Sequence, residues 1–353
     1  MSHSGPALQA SLVGTIYRPP RARQQWTIGD VLPPGSVSYY SLARWALVAA
    51  LRAFGVGNGS RVLLPALICR DVLAAVHMVG ATVVYYPVTR ALEPAAFDPV
   101  EPVKAVVAVN YFGFPQDLQP FRELCTRTGA ALIEDNAHGL FSRDDLGRWL
   151  GGRGDAGLFS FRKTIAVPDG ATLVITRNAA MAAAGSAAVS RPAFRHRAKQ
   201  VARRVAAQLG PVLALKSIAA VRELRSSVGG KQMPATAPDI ETRIPLEPGP
   251  TRDICLPIVV ADPDLEVQRR RALYDLVGQL FEGGGADPVF SRLPEHTAPY
   301  GFPFFATEAQ LPGMAARLAK HGLPVVSWPD LPAAVASSAE DHYRQLQIVP
   351  FLW

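Results

Sequence analysis

Apolar and polar positions take up a regular rhythm from Ser41 onward. Residues 41–54 (SLARWALVAALRAF) carry apolar side chains at helical spacing, and Gly55 and Gly57 end the run. Residues 62–64 form a short apolar strand stopped by Pro65. Residues 71–79 again have helical spacing, with Gly80 behind them, and 82–86 are strand-like. Residues 105–109 (AVVAV) are a continuous apolar run, the mark of a strand buried on both faces. The pattern then predicts a helix over 118–128, a buried strand over 130–133, and two more short strands at 158–161 and 172–176. Strands alternating with helices predict an α/β fold, a mostly parallel sheet with helices on both faces. Ligands of such sheets collect at the carboxyl ends of strands. Pro65, Asn110, Asp135 and the residues after Phe161 stand at such ends.

The flanks read differently. The first thirty-five residues are rich in Pro and Arg and predict an irregular arm (1–35). Residues 226–250 are Gly/Pro-rich and read as a linker. A second α/β pattern follows from Ile254: a strand near 255–260, a helix over 265–281 and a helix over 308–321. The expected organisation is a large domain over 36–230 and a smaller C-terminal domain over 231–353.

Composition narrows the class. Of 353 residues, 49% are hydrophobic and 18% charged, enough to bury a core, so disorder is excluded for most of the chain. The net charge of +7 favours anionic partners. Nine Arg or Lys and one acid, Glu223, lie between Arg191 and Arg225. That stretch reads either as a solvated helical face or as a site for phosphates or an acidic surface. It lacks interleaved aromatics, and no DNA-binding motif is present, so no nucleic-acid partner is expected. Cys69, Cys125 and Cys255 stand far apart with no CxxC pair, which points to a reducing cytoplasm and to no structural metal. The N-terminus lacks the order of a signal peptide, and no run reaches the roughly 18 apolar residues of a membrane span.

The strongest chemical signal is a pair of segments. Residues 133–139 (IEDNAHG) are a strand ending in an acid, with an imidazole three residues on. Residues 159–163 (FSFRK) are a strand ending in a hydroxyl, with a lysine three residues on. A glycine-rich connection, GRWLGGRGDAG over 147–157, lets the chain turn back between them, and VPDG over 167–170 forms a turn after the lysine. Taken singly, Asp135 reads as a helix N-cap, His138 as a structural histidine and Lys163 as a surface lysine. Their occurrence together at consecutive strand ends suits pyridoxal phosphate. That cofactor needs a lysine for its aldehyde, a carboxylate beside its ring nitrogen, and hydroxyl and amide donors for its phosphate.

The same segments resemble the DegT/DnrJ/EryC1/StrS group of fold-type I pyridoxal-phosphate enzymes, the sugar aminotransferases. The likeness runs from about Ser38 to Thr176 through SLARWALVAALRAFGVGNGSRVLLPA, VGATVVYYPV, AVVAVNYFGFPQDL, ALIEDNAHGL, GDAGLFSFRK and PDGATLVIT, and returns more weakly near 300–329. It implies that Lys163 is the Schiff-base lysine and proton shuttle, that Asp135 pairs with the pyridine nitrogen, and that His138 lies near the ring hydroxyl. It implies that Ser160 binds the phosphate, with Ala43 and Arg44 at the phosphate-binding turn of the first helix. Cys69 stands where many members place an aromatic ring over the cofactor, and reads as a small apolar filler.

This chain also departs from the family pattern. Two residues separate Ser160 from Lys163, where the family usually has four, while the spacing from Lys163 to Asp169 is kept. Leu42-Ala43 replaces the Ser-Gly pair of the phosphate turn. The Gly-x-Asn-x-Arg segment that reaches the neighbouring subunit's site is not visible between Arg177 and Gly230. The chain stops about where relatives continue into a last helix. Some members lack the lysine and are dehydratases or non-enzymatic; Lys163 separates this chain from those.

The leading expectation is therefore a pyridoxal 5'-phosphate-dependent aminotransferase, a homodimer. It would pass an amino group from an amino acid, glutamate as in the family, to a nucleotide-linked keto sugar in a ping-pong cycle. Arg203 and Arg204 are the candidate grips on the diphosphate. Two alternatives stay open: another pyridoxal chemistry on a non-sugar ketone or amino acid, and a binding or regulatory protein on the same fold.

Overall fold

Seven strands form the larger sheet: β1 Ser36–Tyr40, β2 Arg61–Pro65, β3 Thr82–Tyr86, β4 Ala105–Val109, β5 Ala131–Asp135, β6 Ala156–Ser160 and β7 Ala171–Ile175. Their order is β1-β7-β6-β5-β4-β2-β3. β3, β2, β4, β5 and β6 run parallel, and β7 is antiparallel to both its neighbours. The computed structural model describes residues 26–95, 102–165, 167–177, 185, 188, 239–252, 262–282, 285–321 and 323–351. The basic stretch 191–225, with Arg203 and Arg204, and the expected strand at 255–260 lie outside the described residues.

The strands form where the apolar runs placed them. β4 and β7 are buried at every position, as strands sandwiched between two layers must be. Helix α1, Ala43–Ala53, buries Ala46, Leu47, Val48, Ala50 and Leu51 and lies against β6 and β7. Helix α2 is Leu73–Met78, and α3 is Gln119–Thr128, opened by Pro120 and closed by Gly129 in the left-handed region (φ 72°).

A second, antiparallel sheet has the order β10-β11-β9-β8, from β8 Asp287–Pro288, β9 Gly301–Phe305, β10 Val326–Ser327 and β11 Leu346–Pro350. Helix α4, Pro263–Phe281, packs on β9; the Asp262 side chain caps it by accepting from the Leu265 amide. Three shorter helices follow, α5 Leu311–Ala319, α6 Ala333–Ala336 and α7 Asp341–Gln345. One hydrophobic cluster joins the two sheets: Val107 and Ile133 belong to it together with Phe302, Phe304 and Ile348. No helix among the described residues is long and apolar enough to cross a membrane.

Two sequence expectations need correction. Residues 246–248, inside the stretch read as a linker, are docked. Ser41 donates its amide to Pro248 O (2.8 Å) and its hydroxyl to Glu247 O, and the Trp45 indole donates to Leu246 O (2.6 Å). Part of the expected irregular arm is likewise docked: Trp26, Ile28, Val31 and Leu32 are buried in a second cluster with Phe141 and Phe159. β1, β9 and β11 were also not anticipated.

The return from β5 to β6 depends on two glycines. A side chain on Gly157 would overlap the Gly151 carbonyl, and Gly151 itself (φ 80°) lies under the Phe159 ring. Gly157→Ala is expected to cost about 1–3 kcal/mol, as overpacked sites do. Urea unfolding should show a lower midpoint at unchanged slope, and an unchanged midpoint would contradict this packing.

Candidate active site

β4, β5 and β6 are adjacent and parallel, so their carboxyl ends share one edge. Val109 pairs with Asp135 in register, and Asp135 with Leu158. Beyond β4 the chain makes a 3-10 turn, Tyr111–Gly113, in which Phe112 takes a left-handed conformation (φ 54°). That conformation is rare for a bulky residue and marks a backbone held by its surroundings. Beyond β5 come Asn136, Ala137 and His138. Beyond β6 comes a one-turn 3-10 helix, Phe161–Lys163.

This turn resolves the missing two residues. The usual family spacing would put the lysine at position 165, where this chain has Ile165. That side chain is buried in the second cluster with Phe161 and Trp26. The amine of Lys163 instead reaches the strand-end cleft, 3.1 Å from His138 Nε2.

His138 is held on several sides. Its Nδ1 accepts from the Phe112 amide at 3.3 Å. Its Nε2 is the atom that faces the Lys163 amine. The ring lies parallel to that of Tyr300 (centroids 4.2 Å apart, 13°) and to that of Phe112 (5.7 Å, 4°), with Trp328 edge-on. Burial holds the His138 pKa well below the usual imidazole value, and Lys163 and Arg270 push it the same way.

Asp135 ends β5, its Oδ1 accepting from the Ala137 amide at 3.0 Å. Protein encloses it closely enough that burial raises its pKa; the Lys163 charge and the Ala137 hydrogen bond pull the other way, while Asp71 adds to the rise. Cys69 lines the same space, in the electrostatic reach of Asp71, Lys163 and Asp135. Burial lifts its thiol to about 12, so it stays protonated and acts as a small filler rather than a nucleophile.

Arg44 and Ala43 stand in the first turn of α1. The N-cap, Leu42, offers no side-chain acceptor. Arg44 Nη1 is buried without a hydrogen-bond partner, and Nη2 reaches Asp71 only at 3.7 Å. Burial lowers the Arg44 pKa; Asp71 opposes this and Arg162 adds to it. A guanidinium in the first turn of a helix, with one nitrogen buried and without a hydrogen-bond partner, is a place for an anion. Ser160 is buried at the end of β6. The set fits pyridoxal phosphate: an amine for the aldehyde, the Asp135 carboxylate for the ring nitrogen, and donors at Arg44 and α1 for the phosphate.

The residues that sequence reasoning missed are Phe112, Tyr300, Trp328 and Arg270. Phe112 follows the end of β4 directly, the one available signal. Tyr300 and Trp328 come from the second sheet's connections. Tyr300 donates its amide to Phe112 O (2.8 Å), and Trp328 packs edge-on against Tyr111 and Phe112.

Comparison with known proteins gives this arrangement a class. The fold is shared with an aminotransferase, TlmJ, from Streptoalloteichus hindustanus (TM-score 0.59, 22% identity, 97% of this chain and 90% of that one). It is shared with Helicobacter pylori PseC, an aminotransferase of pseudoaminic acid biosynthesis (0.58, 13%, 97% and 90%). It is shared too with the PLP form of Spr1654 of Streptococcus pneumoniae, a sugar aminotransferase by its description (0.55, 14%, 99% and 87%). The chain thus has the fold of the fold-type I pyridoxal-phosphate transferases. Residues 41–237, more than half of it, match the DegT/DnrJ/EryC1/StrS aminotransferase family, and the chain belongs to that family. Among curated relatives, the UDP-N-acetyl-3-dehydro-alpha-D-glucosamine 3-aminotransferase of Acidithiobacillus ferrooxidans is 33% identical over 143 residues. That match spans 38% of this chain and 38% of that protein.

The depressed His138 pKa has a consequence for stability. Above the unfolded value of about 6.5 the ring is neutral in both states; below it the unfolded chain takes up a proton that the folded chain refuses. Stability of the cofactor-free protein should therefore fall as pH drops from about 6.5, by up to about 1.4 kcal/mol per unit from this residue. His138→Gln should flatten that slope in denaturant titrations, and an unaltered slope would contradict the assignment.

Proposed function

We propose that this chain is a pyridoxal 5'-phosphate-dependent aminotransferase that carries an amino group from an amino acid, glutamate, to a nucleotide-linked keto sugar. One observation carries the reading: Lys163, His138 and Asp135, from the ends of β5 and β6, meet in one cleft. Family membership and the curated relative that acts on a UDP-linked 3-keto sugar support the substrate class.

When bound, pyridoxal phosphate supplies an aldehyde for amines and a ring that accepts electrons from the adjacent carbon. The proposed roles of the protein groups are these. Lys163 Nζ is the nucleophile and the base that moves a proton between reacting carbons. Asp135 holds a proton on the ring nitrogen. His138, with Nε2 3.1 Å from Lys163 Nζ, orients the amine. Arg44, Ala43 and Ser160 hold the phosphate, and Cys69 fills the space at one wall. The donor amino acid and the acceptor use the same cleft in turn, as a ping-pong cycle requires. Arg203 and Arg204 grip the diphosphate, and the working form is a homodimer in the cytoplasm.

Borohydride trapping of the protein mixed with pyridoxal phosphate, read by mass spectrometry, should place the adduct on Lys163. Lys163→Ala should lose the adduct and at least about 100-fold in turnover, the scale of a lost proton shuttle. An adduct on another lysine, or none, would contradict the reading. Arg203→Glu with Arg204→Glu should raise KM for the sugar nucleotide about tenfold, about 1.4 kcal/mol of binding, with kcat changed less; an unchanged KM would remove these residues from the site.

A further inference from the structure

Two facts about the turn that carries Lys163 stand unexplained by the chemistry above. It is a single 3-10 turn, Phe161–Lys163, and a turn so short leaves carbonyls at its end with no partner inside the helix. Yet the Lys163 and Thr164 carbonyls are both satisfied, by a side chain more than a hundred positions further along. Arg270 Nη2 donates to Lys163 O at 3.2 Å and to Thr164 O at 3.1 Å.

We propose that Arg270 is a positioning residue for Lys163, a guanidinium from α4 that caps the lysine-bearing turn and so sets where the amine lies. This rests on the reading of Lys163 given above. The remaining contacts of Arg270 serve the same end. Nη1 donates to Pro299 O (3.0 Å), the residue before Tyr300, whose ring lies along His138. One rigid, planar fork therefore fixes both the amine and the aromatic wall beside its imidazole neighbour. Nε donates to Glu266 Oε1 (2.7 Å), which holds the fork in its plane.

Charge argues against a merely structural role. Arg270 and Glu266 are fully buried, and Glu266 also pairs with Arg269 through two 2.7 Å hydrogen bonds. If packing α4 on the sheet were the sole task of this cluster, apolar side chains would do it at no greater cost. The Nη2 end of Arg270 is directed at the carbonyls of the lysine turn. Its field also reaches His138, where it helps to keep the ring neutral.

The test uses the full chain with added pyridoxal phosphate. Arg270→Met leaves Glu266 paired with Arg269, so the buried carboxylate keeps a cation and the fold should persist with a similar melting temperature. Borohydride-trapped attachment to Lys163 should then be about tenfold slower or more, as small misplacements of reacting groups cost. Affinity for unattached cofactor, read by tryptophan quenching in the Lys163→Ala background, should be unchanged. Added ethylguanidinium should restore part of the rate to Arg270→Ala. Folded Arg270→Met that attaches cofactor as fast as wild type overturns the proposal. So does a series, including the milder Glu266→Gln, in which attachment falls only as the fold is lost. A wild-type chain that attaches nothing at Lys163 instead brings down the reading of the lysine, and this proposal with it.

Discussion

Asp135 is a partly buried carboxylate at the end of β5; burial raises its pKa, and the charge of Lys163 is the largest influence that offsets this. A buried acid without a nearby cation costs too much to persist ionised. The pair therefore constrains the whole cleft: the two groups come from different elements, and each must be held in place independently. Asp135 is fixed by the register of three parallel strands. Lys163 has no strand beneath it. Its position is set by a single turn, by the imidazole at its tip and by the guanidinium beneath its backbone.

Much of that hold comes from the C-terminal half of the chain. Tyr300 and Trp328 wall the cleft, Asp330 O accepts from the Arg70 amide beside Cys69, and Arg270 reaches the lysine turn. Residues 246–248 cover Ser41 and Trp45 at the start of α1, while Asp169, beyond the lysine, accepts from the Thr251 amide. The larger sheet supplies the reactive groups and the C-terminal elements supply their alignment, with a continuous apolar core behind both.

What the sequence reveals follows from how each contact is made. Strands buried on both faces are continuous apolar runs, so β2 to β7 and the strand-end positions of Asp135 and Ser160 were legible in it. His138 and Lys163 followed by spacing, and the likeness to the family favoured Lys163 over an inert surface lysine. β9 (GFPFF) carries Gly301 and Pro303, which usually argue against a strand, and it forms because β11 pairs with it from far along the chain. The docking of 246–248 was invisible because its carbonyl oxygens make the contact, and every residue has one. Arg270 lies over a hundred residues from the turn it caps and bears no local pattern. Phe112 and Tyr300 acquire meaning only once the rings are seen lying parallel to His138.

The central claim is that this cleft accepts an amine from a donor and keeps it until an acceptor arrives. Its most direct test is a single half-reaction: cofactor-loaded protein is mixed with glutamate and no acceptor, while 2-oxoglutarate and the visible absorption band are followed together. The account predicts one equivalent of 2-oxoglutarate per site as the band disappears, and return of the band when a nucleotide-linked keto sugar is added. A band that persists with no keto acid released would contradict it.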